Sequence, residues 1–84
     1  MKIIIDDKIP FLKGVLEPYA DIRYIPGELI SNRHLQTADA LIIRTRTRCD
    51  KKLLKNTPVK FIGTATIGFD HIDIDYCEKN DIVW

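Results

Sequence analysis

The sequence predicts an α/β domain: a flavodoxin-like parallel sheet with flanking helices. Three observations carry that expectation. Short apolar runs recur along the chain, as strands buried on both faces require. Turn residues or helical spacing separate each run from the next. Strand and helix alternate, which implies right-handed crossovers and parallel pairing.

The first run, Lys2–Ile5, ends at two aspartates and reads as a buried strand. Pro10 then fits a helix first turn, with Phe11, Leu12, Val15, Leu16 and Tyr19 at helical spacing. Gly14 weakens that helix, and Pro18 makes its last turn irregular. Ile22–Ile25 is a second strand, stopped by Pro26-Gly27, and Ser31–Gln36 is a short helix or turn. Ala38–Ile43 is a third strand. Asp50 is placed to cap a short helix through Leu53, Leu54 and Lys55, which Asn56-Thr57-Pro58 breaks. Val59–Gly63 is a fourth strand, followed by the loop Thr64–Phe69 and a helix over His71–Lys79. Asp70 at the N-cap and Asp73 three positions later form a pair like a capping box. Asp81–Trp84 starts a fifth strand. A buried strand is a poor natural terminus, so we expect a truncated chain.

With 84 residues this is one domain or part of one. A chain of that size buries only about 60–65% of its unfolded surface, so its core is modest. A hydrophobic content of 45% and a charged content of 30% are ordinary for a folded soluble chain. The net charge of +1 argues against general polyanion binding, and hence against nucleic acid. Cys49 and Cys77 fit no metal or redox spacing and read as reduced thiols. No apolar run reaches membrane-spanning length, and Asp6-Asp7 follow the first isoleucines too soon for a signal-peptide core. A cytoplasmic protein is expected.

In an open parallel sheet, ligands bind beyond the carboxyl ends of the strands. Four segments fall on that edge: Asp6-Asp7, Pro26-Gly27, Arg44-Thr45-Arg46-Thr47 and Thr64-Ala65-Thr66-Ile67-Gly68. Guanidinium forks, hydroxyls and free amides suit a small phosphorylated, carboxylated molecule. Each residue also has a plainer reading. Thr64 and Thr66 fit as β-branched loop residues, Arg46 and Arg48 as solvated charges, and Gly68 as a conformational need. Arg44, directly after the apolar strand, is the best placed arginine. Asp70 and His71 read as structural, and His34 as exposed in a polar turn. The sequence has no GxGxxG, P-loop or metal-ligand spacing, and no catalytic set is assigned within it. Ile5-Asp6-Asp7 also mimics the first-strand acids of a phosphate-accepting receiver domain. Arg44, however, holds the position where such a domain needs an aspartate.

The segment Thr66-Ile67-Gly68-Phe69-Asp70-His71-Ile72-Asp73 resembles the xxGxDx(I/V)D stretch of the D-isomer-specific 2-hydroxyacid dehydrogenases. That resemblance implies part of a substrate domain, with loop amides around Ile67 and Gly68 cradling a carboxylate. The longer string Pro58–Thr66, with Met1-Lys2-Ile3, Ile25-Pro26-Gly27 and Ala38–Arg44, is similar to one branch of the family along the whole chain. That branch oxidises the 2-hydroxyl of 4-phospho-D-erythronate with NAD, in pyridoxal 5'-phosphate synthesis. Its substrate-binding hydroxyls map onto Thr45 and Thr66, with Arg44 as a weaker candidate. Thr45 departs from the serine often found there but keeps the hydroxyl. Arg46 replaces a small apolar residue. The implied NAD domain, catalytic residues and most homodimer contacts lie outside these residues. Phosphoglycerate- or glyoxylate-type members of the family are the nearest alternatives.

Overall fold

The computed structural model describes residues 1–84 apart from Phe11, Thr66, Ile67 and Phe69. Its centre is a parallel sheet of β1 (Lys2–Asp6), β2 (Asp21–Ile25), β3 (Ala40–Ile43) and β4 (Phe61–Thr64), in the order β2-β1-β3-β4. β1 runs between β2 and β3, with Ile4 opposite Arg23 on one side and Leu41 on the other. Successive strand residues point to opposite faces, so the isoleucine run of β1 must be covered twice. Ile4 joins Leu41, Ile43, Leu54, Ile62 and Cys77 in the larger core. Ile3 and Ile5 face a smaller one with Ala40.

The larger core lies under α1 (Lys51–Leu54) and α2 (Ile74–Lys79), together with a 3-10 turn over Asn32–Leu35. α1 starts where the sequence places it, because the Asp50 carboxylate accepts from the Leu53 amide at 3.1 Å. Thr57 closes its end by donating to the Leu54 carbonyl at 2.7 Å. No helix among the described residues is long and apolar enough to cross a membrane.

Three expectations need correction. The helix expected to begin at Pro10 is absent: the described residues Leu12–Ala20 form successive turns, while Phe11 lies outside the described residues. Gly14 sits at φ 90°, in the left-handed region, and its amide is captured by the Glu17 carboxylate at 2.9 Å. Pro18 has no N–H to carry a helix further. Leu12 and Leu16 still pack on the smaller core, but Tyr19 is left 82% exposed.

The second correction concerns the start of α2. The backbone of Cys49 pairs with the segment around Ile72: the Cys49 amide donates to the His71 carbonyl (2.7 Å) and the Asp73 amide to the Cys49 carbonyl (2.8 Å). That pairing keeps Ile72 and Asp73 out of the helix, so Asp70 does not cap α2. Asp73 is the N-cap and accepts from the Tyr76 amide at 3.0 Å. Third, the expected fifth strand is one parallel bridge, Phe61 to Val83. Strand starts also differ: β3 begins at Ala40 rather than Ala38, and β4 runs from Phe61 to Thr64.

Candidate functional site at the carboxyl edge

Asp6, Ile25, Ile43 and Thr64 end the four strands on one edge. Because β1 and β3 are neighbours, Asp6 and Arg44 emerge side by side. The Asp6 side chain is 0% exposed, and its Oδ2 lies 3.4 Å from Arg44 Nε. Its other oxygen accepts from the Lys8 amide at 2.8 Å. Oδ2 and Nε are both buried without a hydrogen-bond partner among the described residues, so the pair is electrostatic contact rather than an aligned hydrogen bond. The Arg44 side chain stays 29% accessible.

The wall behind the carboxylate is backbone. Gly27 opens a 3-10 turn (Gly27–Leu29) just after β2. A Cβ on Gly27 would overlap Asp6 Oδ2 and come within 3.1 Å of Arg46 Cβ. Glycine is required there for close approach, not for an unusual φ. The buried Thr47 hydroxyl donates to the Gly27 carbonyl at 2.8 Å, clipping the segment after β3 to the segment after β2.

The sequence-derived candidates fall around this centre. Thr45 follows Arg44 in an exposed turn, and Arg46 is exposed beside it. Arg48 points away, 3.7 Å from Asp50, as an exposed ion pair of little energetic weight. Thr66 and Ile67 lie outside the described residues. Gly68 is exposed at φ 89°, a conformation that disfavours side chains. The described residues Ala65 and His71 each bond to a neighbouring strand residue. The Ala65 amide donates to the Ile43 carbonyl at 2.9 Å, and His71 Nε2 lies 3.2 Å from the Thr64 hydroxyl. His71 is buried, whereas His34 is half-buried, with Nδ1 accepting from the Ser31 amide at 3.0 Å.

Sequence reasoning placed Asp6, Gly27 and Thr47 on this edge without assigning them work. An acid closing one apolar run and an arginine following another was the signal available. Cys49 and Cys77 are free and buried. Burial, with the nearby Cys77 and Asp50 adding to it, pushes the Cys49 thiol up to about 12, and burial also raises Cys77. Neither is a ready nucleophile. Among the described residues, no group of three or more His, Cys, Asp or Glu is placed to hold a metal ion. A hollow of about 840 Å³ lies between α1 and α2. It is lined by none of the residues that follow the strands, and we place the site at the edge on chemical grounds.

Comparison with known proteins adds to this geometry. The model for the family "D-isomer specific 2-hydroxyacid dehydrogenase, catalytic domain" matches residues 4–84. An erythronate-4-phosphate dehydrogenase of Bacteroides thetaiotaomicron is 58% identical over 100% of this chain and 24% of its own length. The Bacteroides fragilis enzyme of that name is 55% identical with the same coverage. The chain thus spans about a quarter of the length of these curated relatives. Among solved structures, a Thermus thermophilus protein superposes with a TM-score of 0.82 at 19% identity, covering 98% of this chain and 29% of that one. A D-lactate dehydrogenase of Aquifex aeolicus, solved with NAD and lactic acid, gives 0.78 at 25% identity, covering 98% of this chain and 26% of that one.

Proposed function

Because this chain belongs to the D-isomer-specific 2-hydroxyacid dehydrogenase family, we propose that it is the N-terminal part of the substrate domain of an NAD-dependent enzyme. That enzyme oxidises the 2-hydroxyl of 4-phospho-D-erythronate, in the synthesis of pyridoxal 5'-phosphate. The observation that carries this reading is the 58% identity, along the whole chain, to a relative named for that substrate. The carboxyl edge supports it: Arg44, half-buried and held beside Asp6, offers a guanidinium suited to a phosphate or carboxylate.

In this reading the Thr45 and Thr66 hydroxyls bind substrate, and the amides around Ile67 and Gly68 receive its carboxylate. The four glycines, Gly14, Gly27, Gly63 and Gly68, are too far apart for a dinucleotide-binding turn. The residues present therefore do not fit NAD, and we assign its binding, the catalytic groups and the homodimer contacts to the rest of a cytoplasmic enzyme.

The test is steady-state oxidation by the full-length dehydrogenase, followed by NADH absorbance, on 4-phospho-D-erythronate, 3-phosphoglycerate and D-lactate. We expect the highest kcat/KM on the first. A preference for either other substrate overturns the assignment.

A further inference from the structure

We infer that Asp6 is a positioning residue for substrate recognition, holding the Arg44 guanidinium in the direction from which it meets the anionic substrate. The inference deepens the reading above and rests on it. Asp6 touches no reacting group; it acts through Arg44.

The Asp6 carboxylate is fully buried, and three contacts fix it: the Lys8 amide at 2.8 Å, the close backbone of Gly27 and Arg44 Nε at 3.4 Å. A buried carboxylate without a cationic partner costs several kcal/mol, so Asp6 and Arg44 are bound to each other energetically. A guanidinium has five donors in one rigid plane. Nε is buried 3.4 Å from Asp6 Oδ2, so that end of the guanidinium is held by charge and packing, and the 29% of the side chain that stays accessible belongs to its other atoms. Long arginine side chains otherwise lose substantial rotamer entropy when they clamp a ligand. The buried acid removes part of that loss before substrate arrives.

Asp6 also places a negative charge near the incoming anion, which opposes binding. The two effects predict opposite signs for one substitution. With the charge at a fixed, buried place and the arginine otherwise free to swing into water, we expect orientation to prevail. In the full-length dehydrogenase, D6N should raise KM for 4-phospho-D-erythronate about tenfold, the loss of one charge-assisted contact geometry. KM for NAD should stay unchanged. R44A should raise the substrate KM at least as much, and D6N added to R44A should cost nothing further, because Asp6 acts only through the arginine. An unchanged or lowered KM in D6N overturns the proposal, as do additive penalties in the double variant.

A second readout does not depend on turnover. The Arg44 Nε–H resonance should exchange slowly with water in the wild type and rapidly in D6N. Inorganic phosphate should shift it only in the wild type. If the wild-type enzyme does not oxidise 4-phospho-D-erythronate, the functional reading fails. The resonance then still decides the role of Asp6: equal exchange in both proteins refutes it.

Discussion

Gly27→Ala is the smallest change that reaches the centre of the carboxyl edge. The new methyl overlaps Asp6 Oδ2 and meets Arg46 Cβ at 3.1 Å. Clearing that overlap requires a movement of about 1 Å, far more than side chains in a close-packed interior give freely. If the carboxylate moves, it leaves the Lys8 amide, a hydrogen bond of 2.8 Å to a charged group. If the backbone moves instead, the Thr47 hydroxyl loses the Gly27 carbonyl at 2.8 Å, and the Ile30 amide loses the same acceptor at 3.3 Å. Either route breaks at least one buried or part-buried polar contact, which costs about 2–3 kcal/mol. For a chain this small, urea unfolding has a slope of ~1 kcal/mol/M, so the midpoint should fall by about 2–3 M. Gly63→Ala is the control. Its added methyl meets the ring of the exposed Phe61 at 3.2 Å, and that ring has room to turn. The assay is equilibrium urea unfolding of both variants by circular dichroism. A G27A midpoint no lower than that of G63A would refute the tight Gly27–Asp6 packing and the fixed carboxylate with it.

Two other outcomes test separate parts of the structure. Asp73→Ala should destabilise the chain by about 1 kcal/mol through loss of the α2 N-cap, whereas Asp70→Ala should cost nothing measurable, as read by thermal melting; equal effects would restore Asp70 as the cap. Cys49, whose thiol burial raises from 9.0 to about 12, contributes stability that is fully present below pH 9 and is lost as pH rises toward 12, because the unfolded chain ionises first. Unfolding midpoints should fall across that window in the wild type and fall less in Cys49→Ala, and an identical slope in both would count against the buried thiol.

How far the fold was legible depends on which forces acted locally. Apolar runs such as Ile3-Ile4-Ile5 specify strands by themselves, since nothing but burial on two faces satisfies them. Asp50 caps α1 with its own carboxylate, a contact three residues long that needs no tertiary partner. The segment after Pro10 failed for the opposite reason. Its apolar spacing was helical, but Gly14 and Pro18 made the backbone prefer turns, and the same side chains reach the smaller core without a helix. The shifted start of α2 was set from a distance. Only the folded chain brings Cys49 beside Ile72, and that pairing outcompetes one more helical turn at His71.

The candidate site shows the same division at finer grain. Chain order alone puts whatever follows each strand of a parallel sheet on one edge, so Asp6, Gly27, Arg44 and Thr64 group together from the sequence alone. Which of them touch is decided by strand order. In the order β2-β1-β3-β4, the end of β1 lies between the ends of β2 and β3, so Asp6 has Gly27 on one flank and Arg44 on the other. Move β1 to the outside of the sheet and the same residues would give a solvated acid and a free arginine. The contact between Arg44 and a buried acid therefore follows from where β1 sits. A sequence reading that weighs Arg44 alone misses the buried acid beside it.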